Sequence, residues 1–334
     1  MGQEKVNWGI LSSAAIAQEQ MIPAMLKANN ANLLAIASTS GKEIEVAKRF
    51  HIPKTYSNYE ELLKDPEIDA IYIPLPNGLH SYWTQEAAKH GKHVLCEKPA
   101  ALTEQEAVET IDVCDDNNVQ FMEALMYQFH PQHNRVKEII AKGEIGDLKL
   151  VKANFSFMLE QVDGNIRMDR KLGGGSLYDI GCYCIHSIRN VTDAEPIRVS
   201  AMSKKHSKYD VDMSVIGMMV LDNGIHAYFD CAMDMPDRHL YEIVGTKGTI
   251  EVSKAFITQV DGQGDINIRD LEGQKREEII YGDSYTIGME HYSNCILNNI
   301  IPTYSKQETI KNMRAIEAFI ETIDTGNVVK IQSQ

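Results

Sequence analysis

The stretch Gly9-Ile10-Leu11-Ser12-Ser13-Ala14-Ala15-Ile16-Ala17 decides how this chain is read. An apolar run from Val6 to Leu11 ends in small residues and passes straight into a helical pattern from Ile16 to Ala28. That is the layout of a strand, a tight turn and a helix, the first βα unit of a doubly wound sheet. The dinucleotide fingerprint G-x-G-x-x-A, laid on the turn, falls on Ser12, Ala14 and Ala17, so small residues stand in for both glycines. Side chains this small still let backbone N–H groups approach a pyrophosphate at a helix N-terminus. The same spacing also fits an ordinary tight βα turn.

Outward from this unit the pattern repeats. Apolar runs at Asn32 to Ala37, Ala70 to Ile73, His93 to Cys96 and Val119 to Met122 alternate with helical stretches at Lys42 to Phe50, Tyr59 to Leu63, Leu79 to Lys89 and Glu104 to Asp115. Such alternation predicts a parallel sheet covered by helices. A helix from Pro131 to Lys142 follows, and the text then changes character. Runs near Leu148 to Phe157, Ile197 to Met202, Met213 to Leu221, Ile225 to Cys231, His239 to Val244 and Thr249 to Val252 read as strands separated by Gly-containing turns. One large, mostly antiparallel sheet is expected from them. Helical periodicity returns at Tyr292 to Leu297 and Ile310 to Ile323. The expected fold class is therefore α/β: a Rossmann domain over residues 1–124, and a second α/β domain with an open sheet over 125–334.

In a doubly wound sheet the ligand lies outside the carboxyl ends of the strands, so the loops there are where chemistry is expected. After the second run comes Ala37-Ser38-Thr39-Ser40-Gly41-Lys42, with no Asp or Glu to grip ribose hydroxyls. Ser38, Thr39 and Lys42 can donate to a 2′-phosphate, which favours NADP over NAD; a helix N-cap with a solvated lysine fits the same residues. The fourth long run ends in Cys96-Glu97-Lys98-Pro99, placing a lysine and a carboxylate at the expected cofactor mouth. Gly173-Gly174-Gly175-Ser176-Leu177-Tyr178-Asp179-Ile180-Gly181-Cys182-Tyr183 is a glycine-rich turn entering a helix, in which Asp179, Tyr183 and His186 share a face. Triple glycine also lets backbone approach a ligand closely. A flexible loop followed by a buried helix with a satisfied tyrosine is the alternative.

Composition narrows the classes. With 33 Lys+Arg against 47 Asp+Glu the net charge is −14, which argues against a nucleic-acid partner. Hydrophobic residues at 43% and charged residues at 24% allow a sizeable core. No apolar run approaches the roughly 18 residues of a membrane span. The amino terminus carries no apolar leader, so a cytoplasmic location is expected. Six cysteines without a C-x-x-C read as reduced, mostly core thiols, and histidines without an H-x-x-x-H pair predict no metal. The short basic run Ser203 to Lys208 reads as a solvated loop.

Five stretches together carry a resemblance: Trp8 to Ser12, Pro74-Leu75-Pro76-Asn77-Gly78-Leu79-His80, Glu97-Lys98-Pro99, Glu123 to Pro131, and Gly173 to Tyr183. In this order and at these strand ends the chain resembles the glucose-fructose oxidoreductase and inositol dehydrogenase family, Gfo/Idh/MocA. The branch it is most similar to contains dimeric dihydrodiol dehydrogenase and xylose dehydrogenase, because position 183 is Tyr. The resemblance implies an NAD(P)-dependent dehydrogenase or reductase acting on a sugar, polyol, vicinal diol or hydroxycarbonyl. Lys98 would hold the substrate oxygen, Tyr183 would exchange the proton, and Asp179 would orient a substrate hydroxyl or the lysine. Ser12, Ser13, Ala14 and Ile16 would face the pyrophosphate. Leu75, Pro76, Lys98 and Met126 would belong to the cofactor site, and Asn77, His80 and Glu97 would line the nicotinamide ribose. A homodimer or homotetramer through the second domain's sheet is implied as well. The branch often carries Arg at the positions of Thr39 and Gln128, where this chain departs from it. The competing readings are a sensor or corepressor that kept the fold, and a glycosidase using retained NAD.

Overall fold

A computed structural model describes residues 5–258 and 261–332. The amino-terminal residues in which no leader is read fall largely outside them. The chain forms two compact units, each built from two stretches: Met126 and everything before it join Tyr285–Ile310, while Tyr127–Ser284 joins the chain from Lys311 onward. Both units are thus discontinuous in sequence, unlike the contiguous 1–124 and 125–334.

In the first unit, six strands pair in parallel: β1 (Val6–Leu11), β2 (Ala31–Ala37), β3 (Lys54–Tyr56), β4 (Ala70–Ile73), β5 (His93–Cys96) and β6 (Phe121–Glu123). Their order is β3-β2-β1-β4-β5-β6, the doubly wound arrangement. Ala70 to Ile73 is buried at every position, because a parallel strand between helices has no wet face and must be apolar throughout. The helices are α1 (Ile22–Lys27), α2 (Glu43–Phe50), α3 (Tyr59–Leu63), α4 (His80–Lys89) and α5 (Glu104–Asp116). Asn58 caps α3 by accepting from the Glu61 N–H, and Thr103 caps α5 by accepting from Glu106. Leu11, Leu62, Ile71, Ile73, Val94 and Phe121 belong to one buried cluster.

What completes this sheet arrives late in the chain. Trp8 and Tyr292 are both fully buried, with ring centres 6.0 Å apart. Trp8 Nε1 donates to Ser293 Oγ at 3.2 Å, and Tyr292 Oη donates to the Val94 carbonyl at 2.8 Å. The sequence places a helix over Tyr292 to Leu297 but gives no sign of which sheet it covers.

The second unit opens with α6 (Pro131–Ala141) and contains β7 (Leu148–Met158), α7 (Cys182–Thr192), β8 (Pro196–Lys205), β9 (Asp212–Leu221), β10 (His226–Ala232), β11 (Asp234–Gly245), β12 (Gly248–Val252), β13 (Gln263–Asp270) and β14 (Lys275–Tyr281). Helices α8 (Ser284–Asn298) and α9 (Lys306–Thr325) and the short β15 (Val329–Lys330) close the chain. Nine strands run in the order β14-β13-β12-β11-β7-β10-β9-β8-β15, antiparallel except where β10 meets β7. Along β9 the odd positions Met213, Val215 and Met219 are buried and Ile216 and Met218 exposed, the period-2 signature of a sheet with one covered face. Phe319 of α9 stands edge-on to Phe229 of β10 at 5.0 Å. Gly217 makes room for that contact, since a Cβ there would lie 2.4 Å from the Phe229 ring.

All six cysteines are buried and unbridged. Among the described residues no helix is long and apolar enough to cross a membrane.

Candidate active site

The carboxyl ends of β1 and β2 bring together several residues expected there. Ser12 N donates to the Ala37 carbonyl at 2.9 Å, and Ser12 Oγ accepts from Ala14 N at 3.1 Å. Ser12 takes φ 130°, a backbone conformation that favours glycine, at the position where the fingerprint has its first glycine. Holding a serine there costs about 1–3 kcal/mol. Ser12→Gly is therefore expected to stabilise the protein by roughly 0.5–2 kcal/mol after the greater freedom of glycine in the unfolded chain is subtracted. Thermal denaturation reads this directly, and a lowered midpoint would mean that the Oγ bond to Ala14 outweighs the strain.

Ser13 Oγ lies 3.3 Å from Ser38 Oγ and 3.4 Å from Ser40 Oγ, and Ser38 and Ser40 share a 2.8 Å bond. These hydroxyls form a small cluster joining the turns after β1 and β2. Ser38 is buried, whereas Thr39 and Lys42 are exposed at the rim. Ser40 stands in the quoted loop but was not expected in the site. Ile16 is half-buried at the head of a single π-turn, Ala17–Met21, that precedes α1.

At the ends of β4 and β5, His80 is fully buried and braces two loops: Nδ1 contacts the Pro99 carbonyl and Nε2 the Leu75 carbonyl, each at 2.7 Å. Burial pushes its pKa down to about 4, assisted by the Lys98 charge and opposed by the two carbonyls. The ring is thus spent on holding the loops in place. Leu75 is buried and Pro76 and Asn77 half-buried beside it. Glu97, nearly buried, accepts from Tyr72 Oη at 2.7 Å and from the Lys98 N–H at 3.3 Å. Lys98 is half-buried and precedes a cis-Pro99. Met126 is buried.

Behind Lys98 lies a residue that sequence reading quoted only as part of a motif. Glu123, at the end of β6, accepts from Ala100 N at 2.9 Å and from Tyr304 Oη at 3.2 Å. Burial pushes its pKa up to about 7, while its hydrogen bonds and the Lys98 ammonium pull it down. Both shifts, at His80 and at Glu123, carry the mark of a charged lysine at this strand end.

In the second unit Tyr183 opens α7 directly after another π-turn, Leu177–Gly181, which contains Asp179. Ser176 Oγ and Leu177 N both donate to Asp212 Oδ2, at 2.6 and 2.8 Å, anchoring the turn to β9. The glycine run is needed for packing: a Cβ at Gly174 would lie 2.4 Å from the Arg167 carbonyl oxygen, and one at Gly175 would lie 2.2 Å from Asp212 Oδ1. Tyr183 is half-buried among the rings of Phe155 at 5.3 Å, Tyr127 at 5.7 Å and Phe256 at 5.7 Å. His186 is buried and bonded to Tyr127 Oη at 2.6 Å, so it supports the aromatic wall. Asp179 accepts from Arg167 Nε at 2.6 Å, a partner with no periodic relation to it in sequence.

A parallel sheet in this order, with a small-residue turn and clustered hydroxyls at its carboxyl edge, defines a dinucleotide-binding α/β protein. Residues 6–125 match the oxidoreductase family with an NAD-binding Rossmann fold, and residues 133–251 match the GFO/IDH/MocA C-terminal domain. The chain is 35% identical to D-xylose 1-dehydrogenase (NADP(+)) 2 of Haloferax volcanii, over 97% of this chain and 99% of that one. It is 31% identical to mouse trans-1,2-dihydrobenzene-1,2-diol dehydrogenase over 75% of each chain. Aldose-aldose oxidoreductase from Caulobacter crescentus, solved with glycerol, superposes with a TM-score of 0.91 at 25% identity, covering 98% of this chain and 100% of that one. The chain belongs to the Gfo/Idh/MocA family of oxidoreductases.

Proposed function

We propose that this protein is an NADP-dependent dehydrogenase or reductase acting on a sugar, polyol or related vicinal diol or hydroxycarbonyl. The observation that carries the reading is the end-to-end likeness to an NADP-dependent xylose dehydrogenase, together with Lys98 and Tyr183 at their motif positions. Bound NADP would supply the hydride acceptor, or in reduced form the donor. The residues present fit such a group. Backbone from Ser12 to Ile16 would hold the pyrophosphate, and Ser38, Thr39 and Lys42 the 2′-phosphate, at a β2 end rich in hydroxyl donors. Leu75, Pro76, Asn77, Glu97 and Met126 would surround the nicotinamide end, His80 bracing them from behind.

In the oxidative direction the Lys98 ammonium would hold the substrate oxygen and stabilise the charge that gathers on it. Tyr183 as phenolate would take the hydroxyl proton, breaking the substrate O–H bond and forming its own. Reduction reverses both steps. A tyrosine hydroxyl ordinarily titrates near ~10, so this role needs positive charge in its surroundings. Asp179, held by Arg167, would accept from a substrate hydroxyl.

On the open face of the large sheet, Met202, Ile216, Met218 and Tyr228 stand in neighbouring register positions, with exposures of 72%, 53%, 58% and 37%. A contiguous apolar face of this kind marks an interface, so the protein is proposed to pair through it as a homodimer or homotetramer.

Titration of the cofactor-stripped protein with NADPH and with NADH, following energy transfer from Trp8 and Trp83, tests the cofactor. NADPH is expected to bind at least tenfold more tightly. Preference for NADH would overturn the 2′-phosphate assignment and turn attention to Glu43, a buried acid of α2 with one oxygen unpartnered among the described residues. Binding of neither would remove the enzyme reading. Light scattering on the same sample gives the mass, and a monomer would rule out the proposed pairing.

A further inference from the structure

The cation that a proton-exchanging tyrosine requires is present within the second unit itself, on a residue that no motif marks. Asn165 Oδ1 accepts from Arg167 N at 3.0 Å, and the Arg167 carbonyl accepts from Gly175 N at 3.0 Å. Gly174 lies so close against that carbonyl that no side chain fits between them. The backbone of Arg167 is therefore fixed to the glycine run that leads to Tyr183. Its side chain is fixed too. Nε donates to Asp179 Oδ2 at 2.6 Å, and the guanidinium lies 5.6 Å from the centre of the Phe157 ring. Phe155, two residues earlier on the same face of β7, holds the Tyr183 ring at 5.3 Å. Arg167 and Tyr183 thus stand over neighbouring rings of one strand face, and Asp179 reaches Arg167 from one turn ahead of Tyr183 on the same helical segment.

We propose that Arg167 is a positioning residue: it neutralises Asp179 and sets the pH at which Tyr183 gives up its proton. This rests on the proton-exchanging role given to Tyr183. The physics is a subtraction. A bare carboxylate one turn away opposes formation of a phenolate, and a guanidinium bound to that carboxylate removes the opposition while adding its own attraction. Arg167 responds in kind, its pKa raised first by Asp179 and then, against burial, by the Tyr183 hydroxyl.

Among the described residues of the second unit, the rings and side chains that pack around Tyr183 contribute little charge. Tyr127 is buried with its pKa pushed well up, and His133 and His186 against it are held neutral by burial, His133 down to about 3. Phe155 and Phe256 carry none, His239 beside Phe155 is shifted toward the neutral form, and burial pushes the Cys184 thiol of α7 well up.

The test compares wild type, Arg167→Gln and Arg167→Lys. Ionisation of Tyr183 is followed without substrate by NMR of protein labelled at the tyrosine Cζ carbons, the resonance being assigned by its loss in Tyr183→Phe. In Arg167→Gln the Tyr183 titration is expected to move up by about one pH unit, and the rising limb of the oxidation rate to move with it, a rate loss of roughly tenfold below that limb. Arg167→Lys keeps the charge and is expected to recover most of the shift. An unmoved titration in a folded Arg167→Gln, or an equal shift in Arg167→Lys, would overturn the proposal. The role of Tyr183 is judged separately: full turnover by Tyr183→Phe would remove the catalytic reading and leave the titration result standing on its own.

Discussion

Lys98→Met is expected to lower kcat by roughly 10²–10⁴-fold while leaving the dissociation constant for NADPH within about threefold of wild type. The separation follows from where the lysine sits. Its backbone is held by Glu97, which is itself held by Tyr72, so the loop keeps its shape when the side chain changes. The groups assigned to the pyrophosphate and the 2′-phosphate belong to the turns after β1 and β2, away from β5 in sequence and in strand order. Methionine preserves length and apolar bulk but cannot stabilise charge on a substrate oxygen. Loss of the ammonium also removes one influence that holds Glu123 and His80 down, so both pKa values are expected to rise in the variant. Steady-state kinetics on an accepted sugar or diol, beside NADPH titration, provide the check. Turnover within a few-fold of wild type would remove Lys98 from the chemistry.

Trp8→Ala should be the most damaging single change to the first unit, costing about 3–5 kcal/mol. The indole is fully buried in the central strand, packs against Tyr292 and donates to Ser293, so truncation leaves both a cavity and a hydroxyl without its donor. Trp8→Phe keeps most of the volume and is expected to cost about half as much. Thermal denaturation followed by circular dichroism distinguishes these outcomes. A midpoint within about 2 °C of wild type for Trp8→Ala would mean that the late helix contributes little to the sheet.

The strands that set the fold were legible because their burial leaves a simple trace. Ala70 to Ile73 is unbroken apolar text, and β9 alternates cleanly. Strand β3 has three residues and no buried position, and β14 opens on Lys275-Arg276-Glu277-Glu278, an edge whose charges hide it from any search for apolar periodicity. The two π-turns were invisible for a related reason: a wider turn shifts the face presented without altering composition. At the candidate site, Lys98, Tyr183 and Asp179 were legible as candidates because motifs mark them. Arg167, Asp212 and Tyr304 were not, since each meets its partner across a distance in sequence that no local rule spans. At Gly174 and Gly175 the closest neighbours are the carbonyls of Arg167 and Asp169 and the carboxylate of Asp212, a packing demand that the glycine pattern alone does not reveal.

The discontinuity of the first unit has a meaning for how the protein is born. A ribosome releases β1 to β6 early, but the helix that covers Trp8 follows roughly 160 residues later, about 10–30 s at translation rates of about 5–20 residues per second. During that interval the nascent sheet carries an uncovered apolar surface, a natural point of engagement for chaperones. A gene fragment ending at Met126 would keep the chain in that infant state permanently, so a minimal nucleotide-binding piece of this protein must include Tyr285–Ile310 grafted in place.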